Sequence, residues 1–163
     1  IRDSFDGHEP ELSTAFCSRS APKVLDAGSL HAGTERLMHQ VEHLVASEKF
    51  AREWLGRDDP MKALELLSKV APVVVITLGE KGLIWQRGQE SGALKAPSAA
   101  AVDTTGAGDA FHGAYAAGLS AGWPFPKILE IASHAGAACC EVLGARPGLP
   151  DRARLASILP QET

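Results

Sequence analysis

The feature that most constrains the fold is an uninterrupted apolar run, VVVITL, at residues 73–78. It is rich in β-branched side chains, which favour strands. It also lacks the polar–apolar alternation of a strand with one solvated face. A continuous apolar strand is typical of a parallel sheet that is covered on both faces, so the run predicts an α/β protein.

Shorter segments on both sides of this run extend the pattern. Further strands are predicted at residues 23–27, 43–46, 83–86, 92–95 and 101–102. Helices are predicted from apolar spacing and capping residues at residues 33–41, 48–55, 61–70, 106–121, 126–143 and 151–159. Because strands alternate with helices, we expect a mainly parallel sheet wrapped by helices, with ligands bound beyond the carboxyl ends of the strands.

Composition and charge argue against several classes of protein. The 163 residues fit one compact domain, and the net charge of −4 without a basic stripe argues against a nucleic-acid partner. The apolar runs are too short to cross a bilayer, so no membrane partner is expected. Cys17, Cys139 and Cys140 lack the spacing of a disulfide framework or zinc site, which favours free thiols in a reducing cytoplasm.

The segment DTTGAGDAFHGAY, residues 103–115, is the richest in chemistry. Gly106, Ala107 and Gly108 are small and would place backbone N–H groups at the start of a helix, where an anion is favoured. Asp109 would lie in the first turn of that helix and could accept a proton from a hydroxyl nucleophile. The alternative is that Asp109 only stabilises the helix start and the glycines form a tight turn.

This segment closely resembles the second signature of the ribokinase, or pfkB, family of carbohydrate kinases. The resemblance implies a ribokinase-like fold and transfer of the ATP γ-phosphate to a sugar hydroxyl, with Mg²⁺ accompanying ATP. It implies that Asp109 is the catalytic base and that the backbone of Gly106, Ala107 and Gly108 forms an anion hole.

The resemblance extends to two further segments, TLGEKG at residues 77–82 and GARPG at residues 144–148. In the family the first is a nucleotide-binding turn. The implied ATP-binding residues are Thr77, Gly79, Gly82 and, beside the adenine, Ser133. The implied ligands of a monovalent cation such as K⁺ are Asp103, Thr105, Cys139 and Gly144.

The chain departs from the family pattern in three respects. Many members carry an Asn-x-x-Glu motif, where this chain has Ser47-Glu48-Lys49-Phe50, with Glu48 as a candidate substitute. A family serine ligand of the cation falls at Gly148, which has no side-chain oxygen. The N-terminal half of the family's domain, with its sugar-gripping glycines and lid, has no counterpart here.

The missing half, and an opening Ile1 rather than Met, predict that residues 1–163 are the C-terminal part of a single pfkB-type kinase domain. We expect such a fragment to be inactive by itself, and the full-length protein to form the homodimer common in the family. The runs VLDAGS and DAFHGAY are most similar to ketohexose or sulfofructose kinases. Asp26 and residues 6–8 are expected to flank the sugar, or to be ordinary polar loop residues.

Other functions remain open at this point. The acceptor could be a nucleoside or a phosphosugar, or the chain could be a nucleotide-binding module without turnover. A GxSxG match places Ser120 at a helix end rather than after a strand, which argues against a hydrolase. His39 and His43 are four residues apart but lack the rest of a zinc motif, and His112 and His134 are expected to be packing or pocket-wall residues.

Overall fold

The computed structural model describes residues 21–158. The chain forms two compact units that meet in sequence between Ala93 and Leu94. The described part of the first unit contains a sheet with helices, and the described part of the second is helical.

The sheet of the first unit has five strands in the described residues, in the spatial order in which they follow along the chain. Their bounds are Val24–Ala27 (β1), His43–Ser47 (β2), Val73–Thr77 (β3), Leu83–Arg87 (β4) and Glu90–Leu94 (β5). β1 pairs with β2, and β2 with β3, in parallel, whereas β3 and β4 are antiparallel. The sheet is therefore mixed but parallel where helices connect its strands, as the alternating pattern predicted.

Three helices connect the parallel strands: Ala32–Leu37 (α1), Glu48–Leu55 (α2) and Pro60–Leu67 (α3), with a short 3₁₀ segment, Met38–Gln40, after α1. Ser47 is the N-cap of α2, and its Oγ accepts a hydrogen bond from the Phe50 amide at 3.0 Å. Asp59 caps α3 in the same way through the Lys62 amide at 2.9 Å. Side-chain caps satisfy amides that lack helical acceptors, which is why both helices start where they do.

The core of the first unit lies along β2 and β3. Val74, Val75 and Ile76 have no exposed surface, and neither do Leu44 and Phe50. Residues 73–76 are buried without alternation, which confirms the prediction of a strand covered on both faces.

The second unit contains Ala107–Ser120 (α4), Phe125–Cys140 (α5), the one-turn helix Ala145–Gly148 (α6) and Arg152–Ile158 (α7). Two glycines let α4 and α5 pack closely. A Cβ at Gly118 would lie 2.9 Å from Cγ1 of Ile128, and one at Gly136 would lie 3.2 Å from the Ala107 carbonyl oxygen. Small residues of both α4 and α5 therefore serve close helix packing.

Several sequence-based expectations are wrong; for example, the helix expected over residues 33–41 ends at Leu37 and continues as a 3₁₀ segment to Gln40. Residues 101–102 form no strand; instead, the amides of Val102 and Asp103 both donate to the Cys140 carbonyl, at 2.7 and 3.1 Å. The helix expected to end at residue 143 ends at Cys140, because that carbonyl is taken by the incoming loop. The helix expected to reach residue 70 ends at Leu67, and the Val70 amide closes a tighter turn on the Leu67 carbonyl.

No helix among the described residues is long and apolar enough to cross a membrane.

Candidate active site

Gly106 marks the turn that leads into α4. Its φ is +84°, a left-handed conformation that side chains rarely adopt, and it is the N-cap of α4. A Cβ at this position would lie 2.6 Å from the Cβ of Ala145 at the start of α6. Both the backbone angle and the lack of space therefore require glycine here.

The first turn of α4 presents backbone amides beside open space. Within the helix the first donor is the Ala110 amide, which donates to the Gly106 carbonyl at 2.9 Å. The amides of Gly108 and Asp109 precede it in the turn where N–H groups are directed out of the helix end. A Cβ at Gly108 would meet nothing within 4 Å, so a ligand could approach this backbone closely.

Asp109 is half-buried and lies in this same first turn, as the sequence predicted. One helical turn later, Nδ1 of His112 lies 2.7 Å from the Gly108 carbonyl oxygen, and its ring meets Phe111 edge to face. His112 is thereby fixed against the helix backbone, in keeping with the predicted packing role. The arrangement can place a carboxylate and several amide donors around one bound anion.

Asp103 connects the loop before α4 to the loop after α5. Its Oδ1 accepts a hydrogen bond from the Thr105 amide at 2.9 Å, and its Oδ2 accepts one from the Gly144 amide at 2.8 Å. The bonds from Thr105, followed by the one from Gly144, hold the pKa of the Asp103 carboxyl below its usual range. Asp103 is therefore an anionic bridge between the two loops.

Cys139 lies beneath the same two loops. It is fully buried, with its Sγ 3.7 Å from the Thr105 carbonyl oxygen and 3.8 Å from that of Ala145. Burial, and then the negative charges of Asp103 and Asp109, raise the pKa of this thiol. The structure thus brings together the four residues predicted for a cation, with Cys139 as a neutral thiol.

Gly148 shows a constraint that the sequence did not reveal. A Cβ here would lie 2.5 Å from the carbonyl oxygen of Cys139, closer than any side chain tolerates. Sequence reasoning noted only that the position lacks a side-chain oxygen. The glycine is required by close packing of α6 on the end of α5.

The turn after β3 contains the residues predicted for the nucleotide. Thr77 ends β3, and its Oγ1 donates to the Ala46 carbonyl at 3.3 Å. Gly79 and Gly82 have φ values of +61° and +98° and bracket a 3₁₀ turn that is closed by the Leu78 amide donating to the Gly82 carbonyl at 2.7 Å. A Cβ at Gly79 would meet nothing within 4 Å, so this turn too leaves its backbone accessible.

Sequence reasoning missed an ion pair in the first unit that joins the glycine turn to the start of α2. Nζ of Lys81, in the glycine turn, lies 2.9 Å from Oε1 of Glu48, the first residue of α2. Phe50, which stands where the Asn-x-x-Glu motif would have its glutamate, is fully buried. Opposite charges directly after neighbouring parallel strands were the signal that could have revealed the pair, since those strand ends lie at one edge of a sheet.

The remaining candidates have ordinary structural roles. The hydroxyl of Ser133 donates to the Leu129 carbonyl within α5 at 2.8 Å, so its place beside an adenine stays a prediction. Ser120 is the last residue of α4, which confirms that it is no nucleophile elbow, and His43 opens β2 as expected. No group of three metal-ligating side chains occurs among residues 21–158. Residues 6–8 lie outside the described part, and Asp26 is half-buried in β1.

Comparison with known proteins places the chain in a family. A model of the pfkB family carbohydrate kinases matches residues 13–152. A ribokinase of Lactococcus lactis is 33% identical over 146 residues, covering 88% of this chain and 47% of the relative. An ATP-dependent 6-phosphofructokinase of Thermoanaerobacterium thermosaccharolyticum is 35% identical over 125 residues, covering 74% of this chain and 39% of the relative.

The fold agrees with that relationship. The solved structure of a ribokinase from Thermotoga maritima is similar with a TM-score of 0.80 at 25% identity, covering 89% of this chain and 52% of that one. The chain spans about half the length of the curated relatives it matches. From the family match, the similar sequences and the shared fold, we conclude that this chain belongs to the pfkB family of carbohydrate kinases.

Proposed function

We propose that the protein containing this chain is an ATP-dependent sugar kinase, which transfers the γ-phosphate of ATP to a carbohydrate hydroxyl. The observation that carries the proposal is the first turn of α4. There, accessible backbone beside Gly108 and the carboxylate of Asp109 occur in one helical turn. Phosphoryl transfer depends mainly on positioning and charge stabilisation, and this turn offers both.

Asp109 is the proposed general base. Its carboxylate takes the proton of the sugar hydroxyl as the oxygen attacks phosphorus, a role worth about 10²- to 10⁴-fold in rate. The backbone amides of Gly106, Ala107 and Gly108 hold the charge of the transferring phosphoryl group, aided by the positive end of the helix dipole. The Ala107 amide also donates to the Thr104 carbonyl at 3.2 Å, so it would share its hydrogen between that carbonyl and the phosphoryl group.

The proposed nucleotide site uses Thr77, Gly79 and Gly82 for phosphates and ribose, and Ser133 for the adenine. Support comes from the accessible backbone of the glycine turn and from the ATP-dependent phosphofructokinase among the relatives. Mg²⁺ would accompany ATP, held mainly by phosphate oxygens and water, since it retains several waters in such sites.

A monovalent cation such as K⁺ is proposed beside the anion hole, held by Asp103, Thr105, Cys139 and Gly144. The carboxylate of Asp103 and the carbonyl oxygen of Thr105, which lies 3.7 Å from Sγ of Cys139, could serve as oxygen ligands, which suit an alkali cation. Its chemical contribution would be positive charge near the phosphoryl group. Gly148 contributes no side-chain oxygen to this set, so the proposed donor set has one ligand fewer than the family pattern.

The acceptor is proposed to be a sugar, with a ketohexose or sulfofructose as first candidates. The relatives act on different acceptors, as their names ribokinase and 6-phosphofructokinase indicate, so a phosphosugar or nucleoside is the second candidate. Because the chain spans about half of these relatives, we propose that sugar binding, dimerisation and turnover require a further part of the protein. The free thiols of Cys139 and Cys140 agree with a cytoplasmic enzyme.

The deciding experiment compares the complete protein with its Asp109→Asn variant. Binding of a non-hydrolysable ATP analogue is measured by calorimetry, and ADP release is followed with ribose, fructose, fructose phosphates and nucleosides. We expect turnover with one acceptor class, lost by about 10²-fold or more in Asp109→Asn, while analogue binding persists.

The control is Asp59→Asn, which replaces the carboxylate at the start of α3 with another capping side chain. It should leave both measurements unchanged. Equal turnover in Asp109→Asn and the parent would reduce Asp109 to a helix-stabilising residue. Analogue binding without turnover on any acceptor would favour a nucleotide-binding module.

A further inference from the structure

Glu48 and Lys81 join two segments that are 33 residues apart in sequence. Glu48 opens α2 directly after β2, and Lys81 lies in the glycine turn directly after β3. The two strands are parallel neighbours, with Ser47 beside Thr77 at their carboxyl ends. The ion pair therefore spans adjacent strand ends at the edge where the nucleotide is proposed to bind.

The glycine turn is closed by its own backbone hydrogen bonds, whereas its contact with α2 is made by the side chain of Lys81. Hydrogen bonds from the Leu78 amide to the Gly82 carbonyl, and from the Gly82 amide to the Gly79 carbonyl, close the turn itself. They do not connect it to α2. The 2.9 Å contact of Lys81 with Glu48 makes that connection, and it raises the pKa of the Lys81 ammonium.

Glu48 itself is suited to hold a cation at this place. As the first residue of α2 it lies at the positive end of the helix dipole, where an acidic side chain stabilises the helix. Its side chain is 31% exposed, whereas that of Lys81 is 67% exposed. Glu48, the less exposed partner, is therefore the residue that fixes the position of the more exposed Lys81 side chain.

We propose that Glu48 is a positioning residue for nucleotide binding, which acts through Lys81 to hold the glycine turn against the start of α2. In this chain, which lacks the Asn-x-x-Glu motif, the pair connects the segments that follow the two strand ends. The inference rests on the proposed function, because it assigns a role within that nucleotide site. It also means that Glu48 is engaged with Lys81 rather than directed at Mg²⁺.

The size of the effect follows from the exposure of the pair. Exposed ion pairs contribute about 0.2–1 kcal/mol, which corresponds to a change of up to about fivefold in affinity. Salt screens such pairs, with a Debye length of about 3 Å at 1 M. The contribution of Glu48 should therefore be largest in dilute buffer and small at high salt.

The test uses the complete protein with Glu48→Gln, Lys81→Met, the double variant and Lys81→Arg. Affinity for a non-hydrolysable ATP analogue and the KM and kcat for ATP are measured in dilute buffer and at high salt. The control is Glu65→Gln, which removes an exposed acid that pairs with Lys62 on α3. Stability of every variant is followed by thermal unfolding.

We expect Glu48→Gln and Lys81→Met each to weaken analogue binding and raise KM about two- to fivefold in dilute buffer, with kcat within about twofold. The double variant should be no weaker than either single one, Lys81→Arg should bind like the parent, and high salt should remove the differences. Glu65→Gln should match the parent.

The test distinguishes failure of the positioning role alone from failure of both proposals. If the parent binds the analogue and turns over ATP but Glu48→Gln does so equally well in dilute buffer, the positioning role is overturned and the kinase proposal stands. If additive losses occur in the double variant, the residues act separately and the role is also overturned. A parent that neither binds the analogue nor turns over ATP overturns both proposals.

Discussion

Gly106 and Ala145 approach each other so closely that a Cβ on Gly106 would lie 2.6 Å from the Cβ of Ala145. The contact joins the N-cap of α4 to the first residue of α6, and Gly106 also has a left-handed φ of +84°. The turn that presents the proposed anion hole is therefore shaped by packing against α6 as well as by its own glycines.

The first prediction concerns this contact. Gly106→Ala should destabilise the protein by about 2–4 kcal/mol, because strain at positive φ adds to steric overlap. The control is Gly122→Ala, whose φ is +70° but whose Cβ would meet nothing within 4 Å. It should cost only the strain, about 1–2 kcal/mol. Urea unfolding measures the loss of stability in both variants. Equal losses would mean that Ala145 can move aside without a measurable free-energy penalty.

The second prediction separates stability from chemistry at Gly108. Gly108→Val should change the free energy of unfolding by less than about 0.5 kcal/mol, since valine and glycine differ little in a helix and the site is open. The branched side chain should nevertheless obstruct the anion and lower kcat/KM for ATP by about 10²-fold. Denaturant unfolding and steady-state kinetics check this, and unchanged kinetics would place the anion hole elsewhere.

The third prediction concerns the packing of α4 on α5. Gly118→Ala should destabilise the protein by about 1–3 kcal/mol, because its Cβ would lie 2.9 Å from Ile128 and 3.1 Å from the Trp123 ring. Gly113→Ala, on an exposed part of α4 with no atom within 4 Å, is the matched control. It should stabilise the protein by about 0.5–1 kcal/mol. Thermal unfolding should show opposite shifts in Tm; shifts of the same sign would contradict the packing account.

The fourth prediction is a pH dependence of stability through His43, at the start of β2. Burial, and to a smaller degree the charge of Arg87, lower the pKa of His43 from 6.5, while Glu42 partly opposes them. The folded state then binds the proton more weakly than the unfolded chain, so stability is complete above pH 6.5 and is lost as the pH falls below it.

Unfolding by urea between about pH 7 and pH 5 tests this, a range in which histidine is the principal titrating side chain. The loss of stability in this range should be smaller in His43→Gln than in the parent. His39→Gln, which removes an exposed histidine from the 3₁₀ segment after α1, should keep the parent's dependence. Identical profiles for the parent and His43→Gln would show that another group is responsible.

Much of the first unit could be predicted because its signals are local. The apolar run of β3, the serine cap of α2 and the Asp-Pro start of α3 each act within a few residues, and each appears where expected. The Ala-Gly-Asp start of α4 was equally clear. The strand expected at residues 101–102 was wrong, because a two-residue apolar run does not show which backbone it will bond. In the structure the Val102 amide bonds the carbonyl at the end of α5 rather than another strand.

In the candidate site, too, some features follow from local sequence and others from contacts between distant segments. The sequence by itself determined the chemical groups, since Asp109, the small residues before it and the glycine turn belong to contiguous motifs whose backbone geometry is local. Only the tertiary structure decided how distant segments support them. Asp103 bonding Gly144, Gly148 pressed on the Cys139 carbonyl and Lys81 held by Glu48 are contacts between residues far apart in the chain. Local preferences cannot specify such contacts, because they form only when packing brings those segments together.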